Sequence, residues 1–129
     1  MVSKISLLFA ISDKKASNIF KSIASAGSNT DILISQLKLT RKQYYSRMSR
    51  LLQAGLVKRQ KGKYFVTTFG SVIFDAHRLL GDAVKDYWKL KAIDSLGVAN
   101  DNNMPKEERK RIIEELIGNR QIKDILLST

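Results

Sequence analysis

Apolar residues recur along this chain at helical spacing, and the breaks in that spacing mark where its elements start and stop. Ala16, Ile19, Phe20, Ile23 and Ala24 follow the i, i+3, i+4, i+7, i+8 pattern of one helical face. Ser12 reads as the cap of this helix, Asp13 as the acid at its positive dipole end, and Gly27 as its stop. The turn Ser28-Asn29-Thr30-Asp31 is rich in capping residues, and a short helix over residues 31–37 follows, with Leu33, Ile34 and Leu37 inward. Only Lys38 and Leu39 connect it to a helix over residues 40–54, so the two must cross steeply. Thr40 and Gln43 have the spacing of a capping box. Tyr44, Met48, Leu51 and Leu52 form the apolar face of that helix, and Gly55 closes it.

The period then changes. Residues 56–60 and 63–67 flank Lys61-Gly62, and the second run, Tyr64, Phe65, Val66 and Thr67, is β-rich, which predicts a hairpin. Thr67 or Thr68 caps a helix that begins near residue 69 and can continue to about residue 96. Phe69, Ile73, Ala76, Leu80, Ala83, Tyr87 and Leu90 form a heptad seam along it. Gly81 weakens that helix by about 1 kcal/mol relative to Ala. Val72, Leu79, Val84 and Trp88 widen the stripe. So much apolar surface suits packing on the chain's own core and on a second copy, with Ile73, Leu80, Tyr87, Trp88 and Leu90 as the expected dimer interface. Residues 97–103 read as a linker, and Pro105 opens a helix with Glu107 and Glu108 in its first turn. Ile112, Ile113, Leu116 and Ile117 form the face of that helix, Gly118 stops it, and Asn119 caps a last short helix with Ile122, Ile125 and Leu126. Residues 1–11 read as a short element packed on the core, strand or helix.

Charge adds a direction. The chain has 129 residues, a formal net charge of +11 and a pI of about 10.0. Such an excess points to a polyanion. No acid lies between Asp31 and Asp75, while Lys38, Arg41, Lys42, Arg47, Arg50, Lys58, Arg59, Lys61 and Lys63 all do. The helix over residues 40–54 therefore carries basic residues with no acid nearby in the sequence. Beyond Pro105 the charge is nearly balanced. The absence of Cys removes thiolate metal sites and a Cys nucleophile and suits a reducing compartment. A single His77 has no partner ligands, so neither a metal nor a cofactor is expected. No apolar run is long enough to span a bilayer. No phosphate loop or nucleophile–base pair marks an enzyme.

Leu39-Thr40, Tyr44, Met48, Leu51, Ala54-Gly55-Leu56-Val57, Tyr64-Phe65-Val66-Thr67 and Gly70 resemble the winged helix-turn-helix core of small prokaryotic regulators, closest in style to ArsR-like and archaeal single-domain types. The resemblance covers roughly residues 13–80. It implies a mainly α fold with a small β-hairpin wing, followed by a long dimerisation-type helix and a short C-terminal helix pair. The implied domains are a DNA-binding domain over residues 12–80 and a helical extension over 81–129. It also implies that Arg41, Lys42, Tyr45 and Ser46 face bases. The chain departs from the family pattern in three places. Lys38 stands where Gly is frequent, Ile34 and Gln43 where Ala is frequent, and the Cys motif of the metal sensors is absent.

The chemistry of the residues agrees with such a reading. Arg can bond guanine O6 and N7 in a bidentate way, and its neighbours can reach base edges or phosphate. Arg47, Arg50, Lys58, Lys61 and Lys63 suit phosphate contacts that fix register without reading sequence. Lys38, Thr40 and Arg59 complete the expected DNA-facing set, Thr40 chiefly as a cap. Tyr45 either stacks on a sugar or thymine methyl or covers lysine stems. The expected function is a homodimeric DNA-binding transcriptional regulator, cytoplasmic and nucleoid-associated, with double-stranded DNA as partner. A non-specific nucleic-acid or chromatin-associated protein and a winged helix used for protein interaction stay open beside it. No residue set defines an effector ligand.

Overall fold

The computed structural model of the chain describes residues 2–26, 30–99 and 105–128. Among these the architecture is mainly helical with one two-stranded antiparallel hairpin. The chain forms two compact units, Met1–Asp75 and Ala76–Thr129.

The N-terminal unit contains α1 (Lys4–Ala10), α2 (Lys14–Ala26), α3 (Thr30–Leu37), α4 (Arg41–Gln53), β1 (Val57–Gln60), β2 (Lys63–Val66) and the start of α5 (Thr68–Lys85). The element expected near the N-terminus is a helix, α1, capped by Ser3, whose hydroxyl accepts from the Ser6 amide at 3.1 Å. Leu7, Ala10 and Ile11 turn toward the core, and Ile5, Leu8 and Phe9 stay outside. The cap of α2 is Asp13 rather than Ser12. Its carboxylate accepts from the Ala16 amide at 2.6 Å, while the Ser12 hydroxyl donates back to the Phe9 carbonyl at 2.9 Å. The Gly27 stop and the turn expected at 28–29 lie outside the described residues. Ala16, Ile19, Phe20 and Ile23 are buried as their spacing predicts, and they meet Leu33, Leu39, Tyr44, Met48, Leu51 and Leu56 in one cluster. The Phe20 ring stands edge-on to Phe74, with centroids 5.8 Å apart.

Two helix ends in this unit use the same device. After α4, Gly55 takes φ +77°, its amide donates to the Leu52 carbonyl at 3.0 Å, and the Leu56 amide donates to Leu51 at 3.1 Å. That is the Schellman closure, which satisfies carbonyls the helix would otherwise leave unpaired. After α3 the bonds repeat, Lys38 to Ser35 at 3.3 Å and Leu39 to Ile34 at 3.1 Å, but the left-handed residue is Lys38, at φ +54°. A Cβ is disfavoured there and glycine is not. Lys38→Gly should therefore stabilise the protein by up to about 1 kcal/mol, read as a raised urea midpoint at unchanged m-value.

The capping box at the start of α4 is complete. The Gln43 amide donates to Thr40 Oγ1 and the Thr40 amide donates to Gln43 Oε1, each at 3.1 Å. Tyr44, Met48 and Leu51 are buried, whereas Leu52, expected inward, is 37% exposed. Leu52 sits one position, about 100°, round the helix from Leu51 and so falls at the edge of the buried stripe. The hairpin pairs Val57 with Val66, Lys58 with Phe65, Arg59 with Tyr64 and Gln60 with Lys63. Lys61 and Gly62 both take positive φ, 52° and 76°, as a type I′ turn requires.

Thr67 is the cap of α5. Its hydroxyl oxygen accepts from the Gly70 amide at 2.8 Å and lies 2.6 Å from the Gly55 carbonyl oxygen, and its amide donates to Leu56 at 3.0 Å. A single threonine thus ties the end of α4, the root of the hairpin and the first turn of α5.

The C-terminal unit contains the remainder of α5 with α6 (Tyr87–Ala99), α7 (Lys106–Leu116) and α8 (Arg120–Leu127). Helical hydrogen bonds run through the α5–α6 junction, Asp86 to Asp82 at 3.0 Å and Leu90 to Asp86 at 2.9 Å. Ile93, Ile113, Ile117 and Ile122 form its core, with Leu79, Ala83, Leu90, Leu116 and Leu126 packed around them. The expected linker begins later than the sequence suggests, because Gly97 and the two residues after it continue α6. The rest of that linker, residues 100–103, lies outside the described residues. Asn119 caps α8 by accepting from the Ile122 amide at 3.0 Å, and its side-chain amide donates to Asp82 at 2.8 Å, holding α8 against α5. Ile125, expected on the inner face of α8, is 52% exposed.

The heptad seam does not stay on one side. Ile73 packs into the core of the N-terminal unit, and Ala83 and Leu90 pack into that of the C-terminal unit. Leu80, Tyr87 and Trp88 are exposed. Of the five residues expected at a dimer interface, Ile73 and Leu90 thus serve their own cores. An untwisted helix drifts about 20° per heptad, and the burial boundary here runs along the seam.

Candidate nucleic-acid interface

The site is built on the outer side of α4 and on the hairpin. With Tyr44, Met48 and Leu51 held inward, helical geometry sends Lys42, Tyr45 and Ser46 to the outer side and leaves Arg41 on the flank in the first turn, and all four are exposed. The Tyr45 ring leans edge-on against Tyr44, with centroids 5.2 Å apart, which fixes its base while about half of it meets solvent. Thr40 is exposed but spent on the capping box, and Lys38 is exposed at the left-handed turn just before it.

In the hairpin, cross-strand partners share a face. Lys58, Gln60, Lys63 and Phe65 therefore lie on the face away from buried Val57 and Tyr64. Arg59 shares the face of Tyr64, and its guanidinium carbon is 5.9 Å from that ring. Lys61 is exposed at the tip.

Arg47 and Arg50 are placed differently from expectation. The sequence has no acid near them, but the fold brings Asp13 to both. Arg47 Nε lies 3.2 Å from Asp13 Oδ2, and Arg50 Nη1 lies 3.9 Å from the same oxygen. Arg47 also donates to the Gln43 carbonyl at 3.3 Å, and Arg50 stacks over Phe9 at 5.1 Å. Both guanidinium groups thus have partners inside the chain.

Burial pushes the Asp13 carboxyl up. The Ala16 amide and the charges of Arg47 and Arg50 outweigh this and hold it below its ordinary value of 3.8. A carboxylate with a depressed folded pKa contributes stability above its unfolded pKa and loses it as pH falls through the folded value. Asp13→Asn keeps a capping oxygen and removes only the charge. It should destabilise the protein at pH 7 by about 0.5 kcal/mol, the scale of partly exposed pairs. Urea titrations at stepped pH should show that gap closing below about pH 4.

The same contact adds residues that sequence reasoning missed. It sets the first turn of α2, with exposed Lys14 and Lys15, beside the middle of α4. These lysines lie outside the acid-free window. The tertiary pairing of Asp13 with Arg47, 34 positions along the chain, associates them with α4.

The N-terminal unit contains thirteen Lys and Arg against three Asp, whereas the C-terminal unit contains ten against nine acids. Among the described residues no group of three or more His, Asp or Glu could hold a metal ion, and no helix is long and apolar enough to cross a membrane. Comparison with protein-family models, with curated proteins and with solved structures finds no match to this chain.

Proposed function

We propose that the N-terminal unit is a winged helix-turn-helix that binds double-stranded DNA, with α4 in the major groove and the β1–β2 hairpin as its wing. The protein acts in this reading as a homodimeric transcriptional regulator. One observation carries it above the rest. The exposed side of α4 presents Arg41, Lys42, Tyr45 and Ser46, while Asp13, which the fold brings to that helix, is engaged by Arg47 and Arg50. An exposed arginine at the first position of a helix suits a guanine edge. Lys38, Lys58, Lys61 and Lys63 supply phosphate contacts on either side, and Lys14 and Lys15 extend them. Arg47 and Arg50 move from the phosphate set to the framework that holds α4 against α2.

Selection of bound duplexes from a random DNA pool at physiological salt tests this. Recovery of a shared motif supports base reading by α4. Tight retention with no motif favours a sequence-indifferent nucleic-acid protein instead, and no retention overturns DNA binding altogether. Lys38→Gly adds a second check, since it should weaken duplex binding while raising stability.

A further inference from the structure

The exposed apolar stripe of the C-terminal unit is the surface that a second copy would cover. Leu80, Val84, Tyr87 and Trp88 are spaced i, i+4, i+7 and i+8, and the hydrogen bonds through Asp86 keep them on one continuous helical surface. They are 58, 75, 53 and 73% exposed. The opposite flank of the same helix, Leu79, Ala83, Leu90 and Ile93, is already consumed by the core. The stripe is therefore surplus to the folding of its own unit.

We propose that this stripe is the self-association surface of the protein, and that Leu80, Val84, Tyr87 and Trp88 pack against the same residues of a second copy. The proposal rests on the homodimer part of the functional reading and is independent of its DNA part.

Charge selects the occupant. The N-terminal unit, with thirteen basic positions against three acidic ones, repels its own copy. Its exposed apolar residues, Ile5 and Phe9 among them, belong to the unit that like charge keeps apart. The C-terminal unit exceeds its acids by a single cation, so two copies can approach there without that penalty. A lipid surface or an acidic protein would be drawn to the other unit instead. Near the stripe the exposed charges are of both signs, Lys85, Lys89 and Lys91 with Asp94.

Area points the same way. Two large aromatics and two aliphatics exposed to this degree present on the order of 500 Å² of apolar surface, at the upper end for a monomer. Two such patches facing each other bury on the order of 1,000 Å², the threshold of a specific interface. The Tyr87 and Trp88 rings are mutually edge-on at 5.2 Å, with Lys91 Nζ 5.4 Å from the Trp88 ring. They form a preset aromatic pair with a cation at its edge, the kind of anchor found at the centre of interfaces.

Sedimentation equilibrium of the full chain without DNA, in moderate salt, tests the proposal. The expected result is a dimer whose dissociation constant rises about 30-fold or more in Val84→Glu, the scale of a central contact. Leu80→Lys should behave alike, which guards against a folding defect peculiar to one variant, and circular dichroism should show native helix in both. Trp88 fluorescence should be blue-shifted in the native dimer and red-shifted in either variant. Ile5→Glu, on the other unit, should leave the dimer intact. A native monomer at high micromolar concentration, or a dimer indifferent to both stripe variants, overturns the proposal. A dimer broken by Ile5→Glu instead would keep the homodimer and move its surface. Loss of DNA binding alone would leave this inference untouched.

Discussion

Gly70→Ala is expected to destabilise the N-terminal unit by about 3 kcal/mol, enough to lower the urea midpoint of the protein well outside experimental error. The reason is space rather than backbone freedom. A Cβ built at Gly70 runs into the Leu56 carbonyl oxygen and lies 2.9 Å from Val66 Cγ2. Neither neighbour can give way cheaply. Leu56 O is the acceptor for the Thr67 amide, and Leu56 itself is fully buried. Moving α5 away instead would stretch the Gly70–Thr67 cap and pull Thr67 from the Gly55 carbonyl. The other glycine of α5 provides the contrast. A Cβ at Gly81 meets nothing within 4 Å, so Gly81→Ala should stabilise its helix by up to about 1 kcal/mol. A small effect for Gly70→Ala would mean that the hairpin root and α5 are less tightly joined than these distances show.

The element ends around Thr67 and Gly70 were legible in the sequence because the signals that set them are local. Cap, glycine stop and two-residue turn each follow rules that reach four or five residues, and they place the ends of α4, the hairpin and the start of α5 within a residue or so. The buried face of α2 was equally readable, since its five-residue apolar pattern fits only one period. What the sequence did not show depends on tertiary approach. Nothing local links Asp13 to Arg47, so an acid-free window in the sequence became a helix with an acid against it. Nothing local divides a broad apolar stripe either. The stripe from Phe69 to Leu90 has enough apolar positions for two contacts, and only the placement of α7 and α8 decides that Ala83 and Leu90 go inward while Leu80 and Tyr87 stay out. The same limit left residues 1–11 open between strand and helix. Seven residues with apolar side chains on two faces carry no period that distinguishes them.

Duplex affinity is expected to fall about 10²-fold per copy between 50 and 200 mM salt, and about 10⁴-fold for a dimer with both copies engaged. The estimate follows from which cations remain available. Counting Lys38, Lys58, Lys61 and Lys63 alone as phosphate contacts, without the flanking Lys14 and Lys15, gives a slope of log affinity against log salt of about −3.5 per copy. Arg47 and Arg50 are left out because Asp13 already neutralises part of their charge and holds their geometry. Three substitutions separate the roles by fluorescence anisotropy across a salt series. Lys61→Ala should weaken every duplex alike and flatten the slope by about 0.9. Arg41→Ala should relax preference at one base position, with about 10- to 100-fold lost on the preferred duplex alone. Arg47→Ala should leave the slope unchanged and lower stability, because its loss takes the nearer cation from Asp13 rather than from a phosphate. If Arg47→Ala flattened the slope as much as Lys61→Ala, its guanidinium would be leaving Asp13 for the backbone on binding. If no variant altered the slope, the basic face would not be meeting a nucleic acid, and the reading of α4 as a DNA-binding helix would fall.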